Sequence, residues 1–284
     1  MNAQEPNIRI PVDLTNPGQF FACCGLLELA DRLWPGAEGW FEPGGRDFCV
    51  TFSGENRGTL LELLFILVGS SPTPVARLER NGLEVPPIIA PLAFSFDGGN
   101  TIALTLDFWT KLRMDKGIAK VISNPPWNFW SGQQKSSSIW NGLRAELTKQ
   151  MRTVDFSASA DPLALRVFQG GRFGFDCGPA WNALDVGFSP NEQNMQVESS
   201  PMVELLAAVG VQRFRPVMND DRDGLDYFTW HRPYSPSVAA AATAGAIRDG
   251  FTQRFRTPVV SRGQYAALSR AFVPNIGECD ERPK

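Results

Sequence analysis

Residues Ile8–Phe41 read IRIPVDLTNPGQFFACCGLLELADRLWPGAEGWF, and this stretch decides how the rest of the chain is parsed. Ile8, Ile10 and Val12 alternate with Arg9, Pro11 and Asp13, the period of a half-buried strand. Asn16-Pro17-Gly18 then turns the chain. From Gln19 to Leu33 the apolar residues Phe20, Cys23, Cys24, Leu27, Ala30 and Leu33 recur at helical spacing. Trp34-Pro35-Gly36 stops that helix, because proline cannot continue it and glycine takes the turn. Beyond it, Gly39–Phe41 and Phe48–Phe52 read as a hairpin around Pro43-Gly44-Gly45, and Arg57–Val68 as a strongly apolar helix. A closing strand is expected at Val75–Leu78 or Ala93–Phe96. That order, β-α-β-β-α-β, predicts an α+β protein whose N-terminal half is ferredoxin-like, of the sheet type used by RNA-recognition domains.

Working outward, Ala90–Phe96 and Thr101–Phe108 flank Asp97-Gly98-Gly99-Asn100 as a second hairpin. Thr110–Ser138 is expected as an extended loop or insertion, followed by helix over Ile139–Met151. The polar break Ser157–Asp161 suggests a soft boundary. It divides a ferredoxin-like domain, residues 1–156 with an insertion at 110–138, from a second α+β region, residues 157–284. In that second half, helices are expected at Pro201–Val209 and Val238–Ile247. Strand-like pieces are expected at Val211–Arg215, Leu225–Trp230 and Gln253–Val260.

Composition limits the function classes. The longest apolar run, Leu60–Val68, is broken by Glu62 and is far shorter than the ~20 residues of a membrane span. MNAQEPNIR is not a basic start leading into an apolar stretch, so no secretory leader is expected. Five cysteines, two of them adjacent within a helix, make no disulfide framework, and one histidine without a C-x-x-C pair makes no zinc site. A reduced, cytoplasmic protein without cofactor or metal is expected.

The net charge is only −3, but it is unevenly spread. Lys111–Arg152 carries eight Lys/Arg against two acids, and Arg248–Arg270 carries five arginines against Asp249. Basic residues neutralise phosphates, and aromatic rings can stack on splayed bases. The candidate RNA-binding residues in the first patch are Lys111, Arg113, Lys116, Lys120, Trp127, Trp130, Gln133, Gln134 and Lys135, with Phe129 and Trp140 as further rings. In the second they are Arg213, Arg215, Arg254, Arg256 and Arg262, with alternate arginines sharing a face if 211–215 and 253–257 are strands. Packing onto the core with solvated lysines is an equally weighted reading of the first patch.

Catalytic constellations are scarce. His231, in YFTWHRPYSP, is the only histidine and so the only candidate general base. Cys23 and Cys24 sit among Phe20, Phe21 and Leu26, where a buried and inert thiol is expected. Asp220, Asp221 and Asp223 lack the spacing of a calcium loop. Gly170-Gly171-Arg172-Phe173-Gly174 matches neither the P-loop nor the dinucleotide fingerprint.

The phrases NPGQFFACCGLLELADRLWPGAEGWF, WSGQQK (130–135), RFGFDCGPAWNALDVGFSPNEQ (172–193) and VELLAAVGVQRFRP (203–216) resemble a CRISPR-associated family of type I-U, also called I-G, the third of the Csb series. The resemblance implies a RAMP-type, non-enzymatic subunit of an effector ribonucleoprotein, acting in antiviral defence. Its partners would be CRISPR RNA and neighbouring subunits. It also lends weight to Arg172, because RAMP proteins lay a glycine-rich loop against the RNA backbone. Two alternatives stand beside it: a metal-independent CRISPR RNA-processing endoribonuclease using His231, and a subunit that contacts only proteins.

Overall fold

A computed structural model describes residues 5–54, 58–74, 92–96, 102–108, 110–123, 135–156, 161–177, 197–262 and 265–274. The N-terminal unit comprises β1 (Ile8–Pro11), α1 (Pro17–Leu33), β2 (Glu38–Phe41), β3 (Asp47–Thr51) and α2 (Leu60–Gly69). Its three strands lie in the order β1-β3-β2, with β3 antiparallel to both neighbours. β1 and β2 therefore run parallel, joined by α1, with β3 inserted between them. Local chemistry explains the joints. Pro17 occupies the first turn of α1, where its missing N–H leaves no bond unmade, and the Asn16 side chain accepts the Gly18 N–H. Gly44 and Gly45 take left-handed conformations in the turn between β2 and β3. Thr59 and Glu62 form a reciprocal capping box at the start of α2.

The expected closing strand takes a different place. Val75–Leu78 lies outside the described residues. Ala93–Phe96 belongs to β5 (Leu92–Phe96), which pairs with β4 (Thr73–Pro74) and β6 (Ile102–Leu106) in a separate three-stranded sheet. The alternating ALTLDF segment gives β5 a partner a few residues away, and this local pairing wins over a distant edge on β1. Among the described residues a short 3-10 turn, Pro162–Ala164, lies against β1 instead.

The expected loop over Thr110–Ser138 also needs correction. Its first half is a hairpin of β7 (Thr110–Asp115) and β8 (Ile118–Ser123). Lys116 and Gly117 make the two-residue turn with φ of 50° and 79°, as a type I′ turn requires. Residues 124–134 lie outside the described residues, and α3 (Ser136–Thr153) follows with Ile139, Trp140, Leu143 and Leu147 buried at helical spacing.

The remaining elements are β9 (Val167–Gln169), β10 (Val197–Ser199), α4 (Pro201–Gly210), β11 (Val217–Met218), β12 (Gly224–Phe228), α5 (Pro236–Thr243), β13 (Arg254–Arg262) and β14 (Tyr265–Leu268). The last four strands form one antiparallel sheet in chain order. Val211–Arg215, expected as a strand, is the turn that closes α4: Val211 N–H reaches Ala207 O and Phe214 N–H reaches Gly210 O. The arginines of that segment therefore do not alternate on a sheet.

Among the described residues one apolar core runs from Ile8 to Ala271 and takes in residues from both sides of the expected break at Ser157–Asp161. At its centre α1 packs against α4, each buried along nearly all its length. The two helices meet at glycines. A Cβ on Gly25 would lie 1.9 Å from Leu206 O, and one on Gly210 would lie 2.2 Å from Phe21 O. Phe20 anchors the aromatic part of the core against Phe21, Phe41, Tyr227 and Trp230. The free edge of β2 is closed by the chain after β12. Gly39 bridges Tyr234, Phe41 N–H donates to Trp230 O, and Trp230 Nε1 donates to Gly39 O at 2.7 Å. No helix among the described residues is long and apolar enough to cross a membrane.

Candidate nucleic-acid interface

The alternation of β12 sorts its side chains onto two faces. Leu225 and Tyr227 turn to the core, where the Tyr227 hydroxyl donates to Leu14 O and its ring stacks on Phe255. Asp226 and Phe228 point the other way, and the register sets Asp226 opposite Arg256 and Phe228 opposite Arg254. The Asp226 carboxylate receives both arginines. Arg256 binds it in a fork, Nε to Oδ1 at 2.8 Å and an Nη to Oδ2 at 3.1 Å. Arg254 reaches Oδ2 through Nε at 3.1 Å and through an Nη. Two guanidinium groups thus share the Asp226 carboxylate, held in fixed orientation by bidentate bonding. Arg254 keeps 31% of its side chain exposed.

Two further contacts extend this face. The Arg248 guanidinium lies 4.9 Å over the Phe228 ring, with its Nε donating to Gly245 O. Gly245 has φ 75°, and a Cβ there would strike that ring. Register places Val217 beside Asp226, and Arg256 bridges Phe272; both apolar side chains are exposed. The outer face of β12 and β13 thus holds a largely buried pair, Asp226 and Arg256 (12% exposed), with Arg254 part-exposed beside it and exposed Val217 and Phe272 at its flanks.

The other predicted arginines are committed elsewhere. Arg213 grips the buried Glu28 of α1 (Nε to Oε2, 2.6 Å) and donates to Ser237 Oγ, while Arg32 takes the same carboxylate. Arg215 lies 5.4 Å over the Phe108 ring. The arrangement separates these two from Arg254 and Arg256 and makes Arg213 a cross-brace between α1 and α5. Arg262 ends β13 opposite Tyr265. In the first patch, Lys111 and Arg113 lie on β7 and Lys120 on β8, with Arg113 and Lys120 register partners. Lys116 is exposed at the hairpin turn and Lys135 is exposed ahead of α3. Trp127, Phe129, Trp130, Gln133 and Gln134 lie outside the described residues. Trp140 is fully buried on α3 and is not a ring that a base can reach.

Arg172 belongs to a different arrangement. The segment Gly174–Cys177 threads between the N-termini of α1 and α4. Asp176, buried, accepts Asn16 Nδ2 at 2.7 Å, a two-point contact from Arg166, and the Ser200 N–H at 2.8 Å. Glu204, in the first turn of α4, accepts the N–H groups of Gly174 and Asp176 at 2.8 and 2.9 Å. Burial pushes its carboxyl up to about 7, while the Arg172 charge and the two N–H bonds pull the other way. Three of the phrases quoted above, around Asn16, Asp176 and Glu204, meet in this network.

His231 is built in rather than presented. Its Nδ1 donates to Phe41 O at 2.8 Å, which leaves Nε2 to accept the Thr229 hydroxyl at 3.3 Å. Both nitrogens are engaged within the fold. Burial pushes the Cys23 and Cys24 thiols well above their ordinary range, which suits inert core residues. The Asp220–Asp223 segment forms the turn between β11 and β12, organised by Asn219 bonds to Asp223 and Gly224. Among the described residues no acidic, histidine or cysteine cluster could hold a metal.

Comparison with protein-family models, with curated proteins and with solved structures finds no match to this chain.

Proposed function

We propose that this protein is a RAMP-type, non-enzymatic subunit of a type I-U CRISPR effector, and that the outer face of β12 and β13 holds the phosphate backbone of CRISPR RNA. The observation that carries the reading is the clamp of Arg254 and Arg256 on Asp226, continued by Arg248 over Phe228. Oriented guanidinium groups suit phosphate oxygens, and net positive charge supplies the sequence-independent part of the affinity. The strand order β1-β3-β2 around α1 supports a ferredoxin-like N-terminal half, since it reproduces three of that sheet's four strands. The register of the β7–β8 hairpin sets Arg113 opposite Lys120. The role is positional and cytoplasmic: the protein holds a backbone while guide pairing reads sequence. A subunit contacting only proteins would use another surface, such as α2, where Phe65 is 57% exposed.

The test is equilibrium binding of a labelled CRISPR repeat RNA across salt, in EDTA, with the RNA checked for integrity. The reading expects saturable binding of intact RNA. Replacing Arg254 by Gln should reduce the slope of log affinity on log salt by ~0.7 for each phosphate the side chain no longer neutralises. No binding by the wild-type chain would refute it.

A further inference from the structure

We infer that Phe251 is a stacking platform for one unpaired base of the single-stranded RNA whose phosphates meet the neighbouring arginines; this rests on the reading above. Phe251 is 71% exposed, the most exposed large apolar side chain among the described residues. Single exposed apolar residues are common and need no function, but this one is held out by the turn beneath it. The Phe251 N–H donates to Asp249 Oδ1 at 3.0 Å, and the Thr252 hydroxyl donates to the same oxygen at 3.1 Å. Asp249 N–H donates back to Thr252 Oγ1 at 2.8 Å, and Thr252 N–H to Asp249 O at 3.2 Å. Gln253 then locks onto Thr229 in both directions, Gln253 N–H to Thr229 Oγ1 and Thr229 N–H to Gln253 O. On one side the His231 ring stands nearly perpendicular, with centroids 6.2 Å apart.

The turn fixes the backbone that carries the ring, so less of the chain has to be ordered when a ligand arrives. The charge around it selects the ligand. Arg248 lies three residues before Phe251 and is exposed, Arg254 lies three after, and exposed Arg232 follows His231. The turn's one acid, Asp249, stays ionised but directs its Oδ1 to the Phe251 N–H and the Thr252 hydroxyl, and the three arginines outnumber it. An apolar pocket on a protein partner would not select for three arginines this close in sequence. A nucleotide uses both parts: its base has a π-face for the ring, and its phosphates meet the guanidinium groups.

The experiment measures binding of single-stranded oligouridine, and of an abasic ribose-phosphate strand of equal length, to the full chain as wild type, Phe251→Ala and Phe251→Tyr. For oligouridine, Phe251→Ala should weaken binding roughly 5- to 150-fold with an unchanged salt slope, and Phe251→Tyr should retain affinity. On the abasic strand the three proteins should bind alike. Unchanged melting temperatures would show that the exposed ring is not structural. If the wild type binds oligouridine and Phe251→Ala binds it equally well, the stacking inference falls alone, and docking on a neighbouring subunit becomes the use of the ring. Equal weakening on both strands would also overturn it. A wild type that binds no RNA at any salt overturns the functional reading together with it.

Discussion

Replacing Gly25 by Ala sets two opposing effects against each other on α1. In a helix interior alanine is favoured over glycine by ~1 kcal/mol. Against this stands Leu206 O, 1.9 Å from the added carbon, with Leu206 C at 2.8 Å. Ordinary carbon–oxygen contacts begin at ~3.3 Å, so the deficit is about 1.4 Å. The obstacle is backbone, and no rotamer change relieves it. α1 and α4 must part, and a gap of ~0.5–1 Å already forfeits a quarter to a half of the dispersion energy along the seam. Overpacking of this kind costs ~3 kcal/mol or more, so Gly25→Ala should destabilise by about 2 kcal/mol net. Gly210→Ala should act similarly, since its Cβ would lie 2.2 Å from Phe21 O and 2.8 Å from Gly25 N. Because one separation accommodates both methyl groups, the double variant should be destabilised by less than the sum, by roughly 1–2 kcal/mol. Gly142→Ala on α3 is the control: nothing lies within 4 Å of its Cβ, so it should stabilise by ~1 kcal/mol. Urea unfolding with fitted midpoints and slopes measures all four. Gly25→Ala and Gly142→Ala moving the midpoint in the same direction would refute the close approach of the two helices.

Three further outcomes are expected. Asp226→Asn should lower stability by ~1–3 kcal/mol, the penalty for unpairing buried charge-assisted bonds discounted for the exposure of Arg254; it should also raise RNA affinity about fivefold at 0.1 M salt by freeing one more positive charge. A fall in both would show that orientation outweighs charge. His231→Ala should cost about 1–2 kcal/mol by removing its two hydrogen bonds and leave RNA uncut in EDTA, as the wild type does; wild-type cleavage abolished by the change would instead revive the nuclease alternative. Glu204 holds its proton to about 7 when folded, against 4.5 for the free side chain. Its contribution to stability is therefore complete below pH 4.5 and is lost as pH rises through about 7, a swing of ~3 kcal/mol. Unfolding titrations at pH 5 and pH 8 should show about 2.5 kcal/mol of that swing in the wild type and its absence in Glu204→Gln.

Local signals in the sequence read well where short-range chemistry settles the structure. Asn16-Pro17 started α1, Pro43-Gly44-Gly45 turned β2 into β3, and the alternation of 254 and 256 did place both arginines on one face. The errors have physical reasons too. β7 and β8 carried a visible pattern, Leu112 and Met114 answering Ala119 and Val121 across Lys116-Gly117, but the surrounding lysines and prolines read as loop. Val211–Arg215 has strand-like residues, yet α4 still needed its last carbonyls satisfied, and the segment folded back to do so. The pairing of Asp226 was not legible, because it depends on a strand thirty positions away. Phe251 carried no periodic signal, since a residue fixed by a turn repeats with nothing.

The closing of the β2 edge by Trp230 and Tyr234 sets a schedule for synthesis. Gly39 leaves the ribosome 191 residues before Trp230, whose indole and backbone complete its sheet, an interval of ~10–40 s at ~5–20 residues per second. α4, against which α1 packs along most of its length, arrives only slightly earlier. Throughout that interval the nascent N-terminal half carries an unpaired strand edge beside an uncovered helix, the pair of features that invites strand addition from another chain.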